Sequence, residues 1–220
     1  MMDAGRHPNI ELLSYSEVVD VHGYVGNFQV KVKKKPRYVD EEKCTGCGAC
    51  MEVCVWKDRV YSEYEVGMGL RSAAYIPFDQ AVPMKAVIDP TSCLFLVRGK
   101  CAQKCLDVCE VGAVDFSQKE EFLDIKVGTV VLATGFDQTG DPTLARYGYG
   151  KYDNVIDGLQ FERLSSAAGP TGGNIVTRDG RVPETTVFLH CIASRDDDAH
   201  EYCSRICCMY GTKQAHLALE

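Results

Sequence analysis

Nothing in the 220-residue chain approaches the roughly 20 consecutive apolar residues that a bilayer-spanning helix requires. Nor does an apolar signal-like region follow Met1, because Asp3, Arg6, His7 and Asn9 interrupt the start. The chain therefore reads as soluble and cytoplasmic, without a membrane span. Positive charge is also in short supply. The 24 Lys and Arg against 31 Asp and Glu leave a net charge of −7. That balance argues against nucleic acid as a partner, which needs clustered cations to neutralise phosphates. The one basic run, Lys31, Lys33, Lys34, Lys35 and Arg37, reads as a solvated strand face.

Two kinds of site are missing as well. No strand leads into a Gly-x-Gly-x-x-Gly turn of the kind that seats a dinucleotide pyrophosphate on a helix N-terminus. Gly148-Tyr149-Gly150 is no substitute, since it follows no strong strand and opens no obvious helix. His190, His200 and His216 form no constellation with a carboxylate and a nucleophile, so they read as structural or surface histidines and no catalytic residue is assigned.

What is present is cysteine, twelve of them in a chain that is 45% hydrophobic and 25% charged, enough to bury a core in one or two domains. Six disulfides would need an oxidising compartment, for which there is no secretory segment, so metal ligation is the better explanation. Cys44, Cys47, Cys50 and Cys54 form a C-x2-C-x2-C-x3-C run, the spacing by which three thiolates wrap one 4Fe-4S cubane while the fourth departs to another. The small residues between them, Thr45, Gly46, Gly48 and Ala49, let backbone amides point at the sulfurs. Cys93, Cys101, Cys105 and Cys109 follow with looser spacing. Because ligands cross over in two-cluster ferredoxins, Cys44, Cys47, Cys50 and Cys109 are assigned to one cluster, and Cys54, Cys93, Cys101 and Cys105 to the other. Val55 and Glu110 stand where proline usually follows the last cysteine of each run, a departure that bears on potential more than on binding. Zinc is the competing metal, but zinc sites favour paired C-x2–4-C knuckles over a four-cysteine run.

The remaining cysteines are Cys191, Cys203, Cys207 and Cys208. On a helix Cys203 and Cys207 would stack at i, i+4, with Cys208 a quarter-turn round and Cys191 at a strand end closing a fourth corner. A third cluster, buried apolar cysteines and a redox-active dithiol all satisfy that spacing. Arg195 and Arg205 flank the group and read chiefly as surface ion-pair residues.

Regular structure is expected around the cysteine segment. Extended pieces are predicted over 10–13, 17–22 and 28–34, turning at Gly23, Gly26 and Asn27 into an antiparallel meander. The stretch Phe122 to Ala133 reads as an extended arm followed by a short buried strand ending at Thr134-Gly135. Further strands are predicted over 151–156 and 185–190, and helices over 158–168 and 199–219, the second capped by Asp196 to Asp198. The cysteine segment thus reads as an insertion.

These residues resemble the family of the iron–sulfur flavoprotein known as the A subunit of heterodisulfide reductase. The resemblance rests on His7-Pro8-Asn9-Ile10-Glu11-Leu12, Gly23-Tyr24-Val25-Gly26-Asn27-Phe28, Lys35-Pro36-Arg37-Tyr38-Val39 leading into Cys44, Val130-Val131-Leu132-Ala133-Thr134-Gly135-Phe136, and the run from Cys203 to Tyr210. It implies an α+β or α/β fold in which a two-cluster ferredoxin-like domain is inserted into part of a thioredoxin-reductase-like FAD domain. The corresponding divisions are 1–36 and 119–220 for the flavoprotein segments and 37–118 for the ferredoxin domain. It also implies that Cys191, Cys203, Cys207 and Cys208 hold a further 4Fe-4S cluster, and that Ala133, Thr134 and Gly135 lie near FAD. The implied role is single-electron transfer between FAD and 4Fe-4S clusters in an electron-bifurcating complex, as an oxidoreductase component active within that complex. Implied partners are other heterodisulfide-reductase-like subunits, hydrogenase or formate dehydrogenase subunits, and ferredoxin. Without a Gly-rich dinucleotide turn, the chain is expected to be a segment of such a protein, separately encoded or truncated, whose flavin site is completed by another chain or left incomplete. A free-standing ferredoxin-like carrier without flavin and a zinc-stabilised interaction module are the alternatives.

Overall fold

The alternation of Phe28, Val30 and Val32 with polar residues builds the middle strand of a three-stranded antiparallel sheet, in the order β1 (Ser16–Tyr24), β2 (Asn27–Lys34) and a late strand, Glu121–Val127. Cross-strand register explains the alternation. Phe28 opposes Val127, Val30 opposes Ile125 and Val32 opposes Leu123, so the half-buried apolar side chains of both strands share one face. β1 is the exposed edge, with a register shift between Val18 and Asp20. Lys33, Lys35 and Arg37 of the basic run pair with Glu120, Glu17 and Glu41.

In this computed structural model residues 2–136, 138 and 141–219 are described, Asp141 and Pro142 by backbone alone. A short helix, α1 (Met2–Arg6), precedes the sheet, and α2 (Ala49–Glu52), α3 (Leu94–Arg98) and α4 (Lys104–Asp107) follow it in the cysteine segment. Two-residue strands lie between them: β3 (Val60–Tyr61), β4 (Leu70–Arg71), β5 (Ala74–Tyr75) and β6 (Val87–Ile88), paired β3 with β4 and β5 with β6. The strand Glu121–Val127 is β7, and α5 (Asp141–Ala145), α6 (Gly158–Leu164) and α7 (Cys207–Leu217) complete the described elements, a mixed α/β content.

Two compact units result. The first joins 1–60 to 71–133 and the second joins 61–70 to 134–220. The core of the first unit is the cysteine segment itself. Val39, Ala73, Ala74, Ala86, Ile88, Ala113 and Val114 are buried together with Cys44 and Cys93, and Trp56, Phe95 and Phe116 pack around them. The two ends of this segment are tied to each other, because the Asp40 amide donates to Ala113 O at 2.7 Å and the Asp115 amide to Tyr38 O at 3.0 Å. An ion pair, Arg71 to Asp89 at 3.0 Å, is nearly buried, and the guanidinium also lies 4.0 Å from the Tyr75 ring centroid. In the second unit α6 and α7 pack against each other, Phe161 meets Phe188 at 5.7 Å between ring centroids, and Gln214 donates to Gly158 O.

Several expected elements are not formed. Among the described residues no strand pairs with 130–132 or 185–190, and Val131, Leu132 and Val187 are 84%, 83% and 75% exposed. An apolar β-branched run becomes a strand only where another strand takes its backbone groups, and none does here. Residues 10–13 likewise stay outside the sheet, and 151–156 form turns, with the Val155 amide bonded to Tyr152 O. α7 begins at Cys207 and not near 199, because Arg205 has φ +61° and the preceding segment folds on itself through Arg195 N to Tyr202 O and Asp196 N to His200 O. The predicted 158–168 helix stops at Leu164. Its start is as expected: Asp157 accepts from the Leu159 and Gln160 amides, while Gln160 reaches back to the Asp157 amide, a complete capping box.

Candidate metal centres

The loop after Cys44 owes its course to Gly46 and Gly48, at φ +74° and +77°. A Cβ on Gly46 would lie 2.5 Å from Met84 O, so the chain passes closer to its neighbour than any other residue allows. Gly48 then opens α2, which carries Cys50. Cys93 caps α3, Gln103 in the left-handed region opens α4 with Cys105 inside it, and Cys109 follows the end of α4.

These short elements bring the thiols of the two cysteine runs close to one another. The Cys50 thiol is pushed up to about 11, first by burial and then by the nearby Cys44, Cys105, Cys47 and Cys109. Cys105 is pushed up to about 11 by burial and then by Cys93 and Cys101, with Cys54 also near. Thiolates gathered this closely repel one another, and a cationic iron core is what favours their ionised form. Backbone donors already address the sulfurs: the Ala113 amide lies 3.2 Å from Cys109 Sγ and the Gln103 amide 3.4 Å from Cys101 Sγ. Cys54, Cys93, Cys101 and Cys105 line one cavity whose walls include Trp56, Phe95 and Phe116, the rings of the latter two tilted to each other and 4.8 Å apart between centroids. Soft thiolates, amide donors and an apolar shell fit 4Fe-4S clusters.

The remaining four cysteines also converge, though at the surface. The Cys207 thiol is held below its ordinary value by the Ser204 hydroxyl, 3.6 Å away, and then by the Cys191 amide. Cys208 is raised, mainly by Cys207, with Cys191 and Cys203 contributing. The Arg205 amide donates to Cys203 Sγ at 3.3 Å. Cys191, Ala193 and Arg195 all have φ between 55° and 58°, a left-handed alternation of non-glycine residues. Such residues cost on the order of 1–3 kcal/mol each and gather at functional sites. His190 also joins this group: a ring nitrogen and the Cys207 and Cys208 sulfurs lie within 4.8 Å of one another. Sequence reasoning passed it over as a structural or surface histidine, although its place beside Cys191 was the available signal.

Ala133, Thr134 and Gly135 are exposed, and a Cβ built on Gly135 would meet nothing within 4 Å. The described residues there form no cradle, so they do not by themselves fit a flavin. At Gly148-Tyr149-Gly150 the chain makes a turn from which the Tyr149 hydroxyl donates to Asp157 at 2.8 Å.

The 4Fe-4S binding domain family matches residues 37–54, the segment that carries Cys44, Cys47, Cys50 and Cys54. Similarity along the chain is more particular. The chain is 48% identical over 219 residues to the A subunit of the H2:CoB-CoM heterodisulfide,ferredoxin reductase of Methanothermobacter marburgensis, covering 99% of this chain and 32% of that one. It is 47% identical over 222 residues to the A subunit of the H2/formate:CoB-CoM heterodisulfide,ferredoxin reductase of Methanococcus maripaludis, with 99% and 32% coverage. The A subunit of the ferredoxin:CoB-CoM heterodisulfide reductase of Methanosarcina mazei is 40% identical over 223 residues, with 100% and 27% coverage. The chain is thus a homologue of the heterodisulfide reductase A subunit over nearly all its residues, and spans about a third of the length of the relatives it matches. Among the described residues no helix is long and apolar enough to cross a membrane.

Proposed function

We propose that this chain is the cluster-bearing segment of a heterodisulfide-reductase-like A subunit, passing single electrons through 4Fe-4S centres within a larger complex. The observation that carries the reading is the interleaving of the thiols. Cys50 in the first run has Cys105 and Cys109 of the second among its neighbours, and Cys105 in the second run has Cys54 of the first. That exchange supports Cys44, Cys47, Cys50 and Cys109 as one ligand set and Cys54, Cys93, Cys101 and Cys105 as the other, with Cys191, Cys203, Cys207 and Cys208 around a third centre.

The register supports an inserted ferredoxin domain over 37–118. β2 ends at Lys34 and β7 begins at Glu121, and these two residues are paired, so the chain leaves the sheet and returns to the same place. The flanking segments, 1–36 and 119–220, then belong to a thioredoxin-reductase-like flavoprotein domain. FAD, when bound, would couple two-electron chemistry to the one-electron clusters. Ala133, Thr134 and Gly135 contribute to its seat only together with residues outside those described. The names of the relatives, with H2, formate and ferredoxin, support hydrogenase or formate dehydrogenase subunits and ferredoxin as electron partners. The exposed, uncradled Ala133 to Gly135 segment favours one other reading, a ferredoxin-like carrier that binds iron and no flavin.

Anaerobic purification with iron, sulfide, zinc and flavin quantified on one sample tests these readings. About twelve irons with matching sulfide supports three centres, and about eight removes the third. Flavin bound only when the rest of such a flavoprotein is supplied supports the complex, whereas flavin refused even then leaves the carrier. Zinc without sulfide overturns electron transfer and leaves a zinc-stabilised module.

A further inference from the structure

We propose that Lys85 sets the potential of the first ferredoxin-type centre: its ammonium places an unneutralised positive charge beside Cys44 and makes this centre the electron-holding member of the pair. The proposal rests on the reading that Cys44, Cys47, Cys50 and Cys109 hold a cluster. The placement is built from the backbone up. Residues 83–86 cross the loop that follows Cys44, with Met84 O against Gly46 and the Lys85 amide bonded to Pro83 O at 3.0 Å. Arg37, whose side chain is 8% exposed, donates from Nη1 to Lys85 O and Ala86 O and so pins the crossing. The chain then enters β6, where Val87 and Ile88 are buried. Lys85 is thereby half-buried against the ligand loop, and its Nζ donates to Cys44 O.

What this ammonium lacks is a carboxylate. Lys43 pairs with Asp40 and Lys57 with Glu52, so the lysines that flank the first cysteine run are neutralised. Among the described residues no acid pairs with Lys85. An ammonium drawn partly out of water with only a carbonyl as partner is costly, and an anionic cluster beside it offsets that cost. Each electron that a cluster accepts adds one negative charge, which a nearby cation stabilises, so the potential rises. The second centre has the opposite surroundings. Trp56, Phe95 and Phe116 wall its cavity, and the cation on that wall, Lys104, is exposed, where solvent screens its charge. Apolar walls disfavour the extra charge of the reduced state. Flow within the pair therefore runs from second to first: one electron leaves the second centre, oxidising it, and the same electron reduces the first.

The test uses the full chain, reconstituted anaerobically with iron and sulfide, its iron counted and its potentials read by EPR during a titration with dithionite. Lys85→Gln keeps a donor for Cys44 O and drops the charge, Lys85→Met drops both, and Cys47→Ser marks which signal belongs to the first centre. The expected result is unchanged iron in both Lys85 variants. At a fixed poise the ratio of reduced to oxidised first centre should fall about tenfold in each, the scale of a unit charge acting across partly solvated protein. Unmoved potentials, a fall shared by every centre, or a fall in Lys85→Met that Lys85→Gln does not show overturns the proposal and leaves the clusters standing. Where Lys85→Met alone loses iron, Lys85→Gln decides. Loss of about four irons in both makes Lys85 a strut of the ligand loop and overturns its electrostatic role. Zinc without sulfide in the unsubstituted chain overturns the cluster reading and the proposal with it.

Discussion

The chain carries the same chemical group in two settings. In the first unit six of the eight thiols belong to the core or pack on it: Cys44 and Cys93 are buried, Cys50, Cys54, Cys105 and Cys109 pack against it, and Cys47 is exposed. In the second unit Cys203 and Cys208 are exposed, and Cys191 and Cys207 are half-buried on a loop and at a helix start. Burial dominates the first pair of sites and raises Cys50 and Cys105, whereas hydrogen bonds from Ser204 and Cys191 dominate at Cys207 and lower it. The difference teaches what each cluster would do for the fold. Metal binding is folding energy where the ligands are also the core, and a local adornment where they are not.

Serine substitutions break this comparison most severely. Cys105→Ser should remove about four irons and also lower the stability of the first unit, read by the fluorescence of Trp56, the sole tryptophan, in urea. Cys208→Ser should remove about four irons and leave the Trp56 transition where it was. Equal loss of Trp56 stability in the two variants would erase the distinction between core and surface sites.

Next in size is Asp89→Ala. Asp89 accepts from the Thr91 amide and hydroxyl, the Ser92 hydroxyl and the Arg71 guanidinium, and its side chain is 11% exposed. Burial pushes its carboxyl upward, but these donors outweigh it and hold it below the ordinary value. Removing the carboxylate takes the ion-pair partner from a guanidinium that is 10% exposed and keeps the Ser72 carbonyl and the Tyr75 ring beside it, at a cost of about 3 kcal/mol. The Asp89 carbonyl also accepts the Cys93 amide at 2.9 Å, and that bond survives in the variant. The urea midpoint should therefore fall steeply while reconstituted iron, measured below the transition, stays constant.

Gly46→Ala tests geometry without touching a ligand. The substitution brings a Cβ to a left-handed φ and to 2.5 Å from Met84 O, which costs about 1–2 kcal/mol. The backbone between Cys44 and Cys47 must move to relieve it. Iron uptake at the first centre should slow, with the EPR signal of that centre broadened, and the C-terminal centre should not respond.

The cysteine spacing and the β2 and β7 patterns were legible in the sequence because they are local. A four-cysteine run needs only its own loop, and alternating apolar residues such as Phe28, Val30 and Val32 find partners in Leu123, Ile125 and Val127 wherever the chain returns. The interleaving of Cys50 with Cys109 and of Cys105 with Cys54 was readable only through the general habit of two-cluster ferredoxins. Runs 130–132 and 185–190 misled because buried parallel strands are written by their neighbours, and among the described residues no strand pairs with them. The late start of α7 was hidden for another reason: nothing in the letters around Arg205 announces a left-handed residue that is not glycine. His190 escaped notice because a histidine was weighed as an acid or base, while the structure sets it beside thiols.

The smallest effect is expected at Asp157, and it completes the contrast from the other side. Its carboxylate caps α6 through the Leu159 and Gln160 amides, both at 2.8 Å, and α6 in turn packs on α7, where Gln214 donates to Gly158 O. Asp157→Ala should cost about 1 kcal/mol, the typical worth of an N-cap. Hydrogen exchange at Leu159 and Gln160 should quicken severalfold. Because α7 carries Cys207 and Cys208, a loosened α6 reaches the C-terminal centre through the helix pair and not through a ligand. Its iron should be lost faster to a chelator than in the unsubstituted chain, while the clusters in the first unit, whose ligands lie in a separate core, should exchange at an unchanged rate. Faster loss from every centre would mean that the two settings are energetically one.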